Sequence, residues 1–248
     1  MTVFGNESTG VLQNGNGATG ALAVAQASAL GHAADAQSRF TAISCRALDV
    51  VGAALGLVVL APVLAVIAIA IRLDSKGKAL FRQERFGRDL EPFVVNKFRT
   101  MHRNASHEEH RAFVQRLIAG DAERHQRADE ALFKLASDPR VTRLGRFLRR
   151  SSLDELPQLI NVLLGEMSLV GPRPPLAYEV ERYPPAAFGR FAVKPGITGL
   201  WQVSGRSELT FDEMIELDLE YVRRRSLWLN VKICLSTVWV VLRRKGAA

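Results

Sequence analysis

Residues 50–71 form a strongly apolar run that contains no charged residue. As a straight helix this run would be roughly 33 Å long, enough to cross a bilayer core of about 30 Å. Apolar residues on every side argue against an ordinary amphipathic surface helix, although a helix buried in a protein core would show the same pattern. Pro62 lacks an amide N–H, so we expect it to kink the helix near Val58–Pro62.

The charges around this run bear on its topology. Arg46 precedes the run, and Arg72, Lys76 and Lys78 follow it. Basic residues at both ends favour a re-entrant hairpin, which enters and leaves the membrane on one face. A single crossing with the short N-terminal tail outside stays open, because the C-terminal side is the more basic.

The pattern changes on either side of the apolar run. Residues 1–40 hold few large apolar residues and show no sustained periodicity, which predicts a disordered tail. Residues 79–99 have strand and turn character, and residues 105–136 and 138–150 have helical character. In the segment 138–150 arginines recur at every third position beside an apolar stripe, which indicates either a solvated face or contact with phosphates.

The last apolar stretch, residues 227–242, places Trp228 and Trp239 near one helix face and is followed by basic residues. This arrangement is typical of a helix at the membrane interface, with core packing as the alternative. We therefore predict an α+β, predominantly helical fold with a membrane re-entrant N-terminal helix, short strands and an interfacial amphipathic C-terminal helix. Its parts would be a tail (1–40), the re-entrant helix (41–75), a cytosolic catalytic domain (76–226) and the C-terminal helix (227–248).

Composition indicates an anionic partner. The chain carries 33 lysines and arginines against 25 acidic residues, a net charge of +8, which suits nucleic acid, acidic lipids or phosphorylated small molecules. Cys45 and Cys234 match no metal spacing, and we expect both thiols to be reduced. His107 and His110 lie three positions apart rather than four, so a solvated helix face is favoured over a zinc site.

The segment 151–175 carries the most informative chemistry. Asp154 and Glu155 stand where a helix is predicted to begin, and adjacent carboxylates there could share one Mg²⁺ or supply a nucleophile. A capping box between Ser152 and Glu155 is the structural alternative. Arg173 stands between prolines, which hold a guanidinium ready for bidentate phosphate contact, although a rigid surface turn fits equally well.

Lys97 and Arg99 flank an aromatic residue and would project from one face of a strand. Arg206 ends a glycine-containing turn that could bring backbone N–H groups to an anion. Each of these two signals is weak by itself.

Taken together, the motifs resemble those of the bacterial sugar transferases, the small monotopic polyprenyl-phosphate phosphoglycosyl transferases that initiate exopolysaccharide, capsule and O-antigen assembly. The resemblance covers roughly residues 44–242, and the motifs stand in the order of the family. They are KFRTM (97–101), SLDELPQLINVLLGEMSLVGPRP (152–174), KPGITGLWQVSGR (194–206) and LDLEYVRRRSLWL (217–229).

The resemblance implies transfer of a sugar-1-phosphate from a UDP-hexose to an undecaprenyl-type polyprenyl phosphate, with release of UMP. It implies that Asp154 is the nucleophile of a covalent aspartyl-phosphosugar intermediate and that Glu155 is a ligand of Mg²⁺. Arg173, Lys97 and Arg99 align with substrate-binding cations. By the same comparison Arg206 and Asp218 are expected at the substrate, and Pro62 matches the kink residue of the re-entrant helix.

The implied location is the bacterial inner (cytoplasmic) membrane, with the catalytic domain facing the cytoplasm and contacting membrane lipids. Larger family members carry several transmembrane helices before the catalytic part, so this chain is expected to be of the compact form. Asn230 replaces a common Asp, and residues 77–81 and the turn from Gly87 to Phe93 also depart from the family pattern. No nucleic-acid partner is expected, and a homo-oligomer, the identity of the sugar and the polyprenol length stay open.

Two other functions compete with the transferase. A basic nucleic-acid-binding protein would explain the positive charge, but the apolar run opposes it. A membrane-surface scaffold without catalysis would explain the apolar run and leave the Asp-Glu pair without a chemical role.

Overall fold

The computed structural model describes residues 39–102, 118, 140–205 and 209–242. Several predictions lie outside these residues: those for residues 1–38, for the His107–His110 pattern, for most of the helix over 105–136 and for Arg206. The described residues confirm a mostly helical fold with a few short strands.

One long helix is followed along the chain by shorter helices and strands. The helices are α1 (Arg39–Asp74), α2 (Arg143–Arg150), α3 (Gln158–Leu164), α4 (Ala177–Val180), α5 (Leu200–Ser204), α6 (Phe211–Arg224) and α7 (Leu227–Leu242). The strands are β1 (Leu80–Phe86), β2 (Pro92–Phe98), β3 (Ser168–Val170) and β4 (Gly196–Thr198). Among the described residues, 3₁₀ segments span Arg88–Leu90, Leu153–Glu155 and Pro185–Ala192.

The strand and turn pattern predicted over 79–99 is confirmed as an antiparallel hairpin of β1 and β2, in which Leu80 pairs with Phe98 and Phe86 with Pro92. The helix predicted over 138–150 begins only at Arg143, because Thr142 acts as its N-cap and accepts a hydrogen bond from the Gly145 amide. The C-terminal helix is confirmed over Leu227–Leu242.

Helix α1 is the one helix among the described residues that is long and apolar enough to cross a membrane. Its N-terminal part is held by polar contacts to the rest of the protein. Arg46 donates to the carbonyls of Val162 (2.7 Å) and Leu163 (3.0 Å) at the end of α3. The carboxylate of Asp49 accepts from the Ser168 hydroxyl (2.9 Å) and the Leu169 amide (2.8 Å).

The C-terminal end of α1 is held to the same body. The Arg99 guanidinium donates to the carbonyls of Ile71 (3.3 Å), Ser75 (2.7 Å) and Lys76 (2.8 Å), at the end of α1 and just beyond it. Ile67 and Ile71 are buried in a cluster that also contains side chains of β2 and α2. Both ends of the helix therefore pack against one folded unit.

The middle of α1 contacts that unit much less. Between Val58 and Val66 most side chains are exposed, among them Val58 (74%), Val59 (71%) and Pro62. The helix continues through Pro62 as one element, and the expected kink stays a prediction.

Helices α6 and α7 pack on the β3–β4 pair. The Tyr221 hydroxyl lies at their junction, donating to the Val170 carbonyl (2.8 Å) and contacting Asn230 Oδ1 (2.9 Å). Asn230 is completely buried in this contact. The opposite face of α7 exposes Trp228, Leu235 and Trp239.

Asn161 fixes α3 against the hairpin. Its side-chain oxygen accepts from the Asn96 amide and side chain (3.1 Å each), and its nitrogen donates to the Val94 carbonyl and to Glu166 (2.6 Å each). The residue is fully buried, so these bonds set the position of α3 relative to β2.

We expect Asn161→Ala to lower the free energy of unfolding by about 2–3 kcal/mol, because it leaves buried backbone and side-chain groups without partners. The matched control is Asn96→Ala, which removes one side-chain hydrogen bond from a half-buried residue and should cost about 1 kcal/mol or less. Unfolding followed in detergent measures both. Equal losses in the two variants would contradict a central role for Asn161.

Candidate functional site

Asp154 and Glu155 lie in the 3₁₀ turn Leu153–Glu155, directly ahead of α3. The alternative of a capping box is wrong, because Ser152 makes no side-chain cap hydrogen bond. Ser152 adopts the left-handed region at φ 56°, whereas a capping serine has an extended backbone. The turn leaves Asp154 only 5% exposed.

Glu155 pairs with Lys97 instead. Lys97 lies in strand β2, and its ammonium nitrogen is 3.0 Å from Glu155 Oε1 in the turn. Burial lowers the pKa of Lys97, and the nearby charges of Glu155 and Asp154 oppose that effect. Arg85 and Arg173 also act on Lys97 electrostatically, so charges from four parts of the chain influence one ammonium group.

The loop that carries Arg173 is fixed by close backbone contacts. The Gly171 amide donates to Thr198 and the Gly196 amide to Pro172 (2.8 and 2.9 Å), so these N–H groups hold the loop to β4. A Cβ at Gly171 would lie 2.4 Å from the Lys194 carbonyl, which explains the glycine. Arg173 Nη1 lies 3.7 Å from the buried carboxylate of Glu179.

Two buried arginines hold the same loop from either side. Arg85 donates to the Pro174 carbonyl (2.7 Å), and Arg190 donates to the Arg173 carbonyl (3.1 Å). The Phe86 amide also donates to the Pro175 carbonyl (3.1 Å), which joins the loop to the β1–β2 hairpin. The position of Arg173 relative to Lys97 is therefore fixed through the backbone.

Asp218 lies behind this loop. Its carboxylate is 2.6 Å from Arg190 Nη2, and Arg190 also donates to the Tyr183 hydroxyl (2.6 Å). Burial raises the pKa of Asp218 to about 6, although the Arg190 charge opposes the shift. A small pocket adjoins these groups, lined by Arg173, Tyr183, Arg190, Trp201, Phe211, Met214 and Ile215.

The match to a family model decides the family. The model described as bacterial sugar transferase matches residues 40–244.

The chain belongs to the bacterial sugar transferase family.

Several curated relatives agree with this assignment. The chain is 44% identical to the galactosyl transferase CpsE of Streptococcus agalactiae over 83% of its own length and 43% of that protein. It is 43% identical to the UDP-glucose:undecaprenyl-phosphate glucose-1-phosphate transferase of Escherichia coli over 82% of its length and 41% of that protein. It is 37% identical to the exopolysaccharide production protein ExoY of Sinorhizobium fredii, covering 83% of this chain and 88% of ExoY. The chain thus spans less than half of the first two relatives.

The structure brings together some of the sugar transferase residues predicted from sequence and separates others. Lys97, Asp154, Glu155 and Arg173 form one electrostatic cluster. Arg99 follows β2 but directs its guanidinium to the end of α1, so its described contacts give it a structural role. Asp218 pairs with Arg190, which in turn donates to the Arg173 carbonyl of the loop. Substrate-binding roles for Arg99, Asp218 and Arg206 stay predictions.

Sequence reasoning missed Arg85 and Arg190 as parts of the sugar transferase site. Neither stands in a local motif with a distinctive spacing, and both act through contacts to a loop that is distant in sequence. One signal was usable for Arg85. It lies inside a strand pattern opposite Phe93, and side chains on that face, which includes Val95, are expected to be buried.

We expect Asp218→Asn to destabilise the sugar transferase by about 3–5 kcal/mol, because it leaves the buried Arg190 charge without its carboxylate. The matched control on the same helix is Glu220→Gln, which removes the exposed Glu220–Arg224 pair and should cost about 1 kcal/mol or less. Both are measured by unfolding in detergent, at a pH well above the pKa of Asp218 so that its charge is present. Similar losses of stability in the two variants would show that the buried Asp218–Arg190 pair contributes no more than the exposed Glu220–Arg224 pair.

Proposed function

We propose that this protein transfers a sugar-1-phosphate from a UDP-sugar to an undecaprenyl-type polyprenyl phosphate and releases UMP. The family assignment supports this, as do relatives named as galactose and glucose transferases that act on undecaprenyl phosphate. The observation that carries the proposal is the cluster of Asp154 and Glu155 with Lys97 and Arg173. Two carboxylates beside several cations suit a reaction that moves a phosphoryl group.

In the proposed reaction a carboxylate oxygen of Asp154 attacks the phosphorus next to the sugar. A bond forms between that oxygen and the phosphorus, the bond between this phosphorus and the bridging oxygen breaks, and UMP leaves with the electron pair. An oxygen of the polyprenyl phosphate then attacks the same phosphorus, which releases the Asp154 carboxylate and forms the lipid-linked diphosphosugar. Two simpler displacements replace one that would need both substrates at once.

The cations have separate parts in this scheme. Arg173, held by backbone contacts on both sides, is placed to bind phosphate oxygens with its planar guanidinium. Lys97 holds Glu155 and adds positive charge beside the carboxylate turn. Their low exposure strengthens these electrostatic interactions relative to water.

We propose Mg²⁺ as the cofactor. No group of three or more His, Cys, Asp or Glu side chains that could form a metal cage occurs among the described residues. The adjacent carboxylates of Asp154 and Glu155 fit a magnesium ion nevertheless, since this ion is commonly held by one or two carboxylates together with substrate phosphates. When bound, Mg²⁺ would supply positive charge to the diphosphate.

We further propose that α1 is re-entrant and that the protein lies at the cytoplasmic face of the inner membrane. Both ends of α1 pack on one folded unit, while its central residues are exposed, apolar and without charge. A helix that crossed the bilayer could not return both ends to one cytosolic body. The exposed Trp228 and Trp239 of α7 suit the same interface and would bring the site to the lipid phosphate.

We expect Asp154→Asn to lower UMP release from a panel of UDP-sugars by roughly a thousandfold or more, because an amide is not a competent nucleophile. With donor alone, intact-mass analysis should detect one added phosphosugar on the wild type and none on the variant. Asp212→Asn is the matched control: it removes an exposed acid in the first turn of α6 and should leave turnover unchanged. Wild-type turnover by Asp154→Asn would contradict the assignment.

The topology is tested with cysteines at the two exposed ends of α1, Phe40→Cys and Asp74→Cys, in a background of Cys45→Ala and Cys234→Ala. A re-entrant helix places both on the cytoplasmic side, so a membrane-impermeant maleimide should label both only after the cells are permeabilised. Labelling of Phe40→Cys in intact cells, with Asp74→Cys protected, would indicate a single crossing.

A further inference from the structure

We propose that Arg85 is a phosphate-binding residue of the transferase, acting beside Arg173. This inference rests on the proposed function, since it assigns to Arg85 a phosphate of one of the two substrates. It adds to the site a cation that stands in none of the recognised motifs.

The first argument is the burial of Arg85 with incomplete contacts. The residue is 6% exposed. Its Nη1 donates to the Pro174 carbonyl (2.7 Å) and its Nη2 to the side-chain oxygen of Gln83 (2.9 Å), both of which are neutral acceptors. Its Nε is buried and has no hydrogen-bond partner among the residues that the structure describes.

The second argument is charge. Within the described part of the chain Arg85 forms no ion pair, whereas the buried Arg190 is paired with Asp218 and Lys97 with Glu155. Buried charges in proteins are normally paired or bound to a ligand, because desolvation without compensation is costly. Arg85 is therefore a buried cation without a carboxylate in contact.

The third argument is location. Arg85 donates to the carbonyl of Pro174, the residue next to Arg173, and the charges of Arg173 and Glu155 act on it electrostatically. Burial together with repulsion from Arg173 lowers the pKa of Arg85 to about 10, a value at which it still carries its charge at neutral pH. Two neighbouring guanidinium groups that repel each other are stabilised by an anion bound to both.

The competing explanation is that Arg85 only holds the loop through the Pro174 carbonyl. The two roles predict different effects of substitution. A glutamine at this position keeps a hydrogen-bond donor for that carbonyl but loses the charge, whereas a lysine keeps the charge and loses the planar guanidinium. If Arg85 binds a phosphate, the lysine variant should retain more of that role than the glutamine variant, because only lysine keeps the charge.

The experiment compares Arg85→Gln and Arg85→Lys in the full-length protein in detergent. The matched control is Arg82→Gln, which removes the same charge from an exposed position on the same strand. Initial rates of UMP release are measured while the UDP-sugar is varied at saturating polyprenyl phosphate. They are then measured while polyprenyl phosphate is varied at saturating UDP-sugar. Thermal unfolding of each variant reports on folding separately.

We expect Arg85→Gln to raise a KM by about 10- to 100-fold, as loss of a charge-assisted hydrogen bond would, and Arg85→Lys to raise it much less. A rise confined to the UDP-sugar identifies the donor diphosphate, and a rise confined to polyprenyl phosphate identifies the acceptor phosphate. Arg82→Gln should leave both KM values unchanged. Unchanged KM values in Arg85→Gln, or equal rises in the Gln and Lys variants, would overturn the inference.

A second measurement does not depend on turnover. Inorganic pyrophosphate should raise the unfolding temperature of the wild type and of Arg82→Gln, and it should raise that of Arg85→Gln distinctly less. A wild type that releases no UMP from any UDP-sugar would refute the proposed function, and this titration would still test Arg85. An equal pyrophosphate effect in wild type and Arg85→Gln would refute the role of Arg85 alone.

Discussion

The organisation of this protein depends on how one apolar helix is held at both ends. Arg46 and Asp49 fix the beginning of α1 to α3 and β3, and Arg99 fixes its end. Each contact satisfies a charged group with backbone acceptors or donors inside the protein, so the ends cannot separate from the body without a large cost. In the proposed topology the apolar middle, which contacts the body least, faces lipid. The carboxylate turn then lies close to the plane in which a lipid phosphate moves.

The site is built by arginines that bind main-chain carbonyls. The loop of Arg173 is held on one side by Arg85 and on the other by Arg190, which is itself neutralised by Asp218. Close glycine contacts to β4 allow the loop to approach that strand. The loop that carries Arg173 is thus fixed by buried side chains, and in the proposed function this order favours binding of a diphosphate with little reorganisation.

The sequence predicted those features that repeat locally. The two apolar helices follow from runs of apolar residues, the strand and turn character of residues 79–99 from its apolar and turn-forming residues, and the motif order identified the family. Contacts between distant segments could not be predicted in this way. Lys97 meets Glu155 across 58 residues and Arg85 meets Pro174 across 89, and no local pattern encodes such pairs. The alternative of a capping box failed for a different reason, since the backbone of Ser152 is left-handed in the turn between α2 and the site and its side chain makes no cap hydrogen bond.

The buried Asp49 has a consequence for biosynthesis. Its partners Ser168 and Leu169 follow it by 119 and 120 residues, so a ribosome adding about 5–20 residues per second needs roughly 6 to 24 s to supply them. During that interval residues 50–71 are also made, while the carboxylate of Asp49 still lacks its partners within the protein. If α1 enters the membrane as proposed, its apolar segment is therefore complete before the partners of Asp49 exist, and docking of Asp49 comes later than synthesis of the segment.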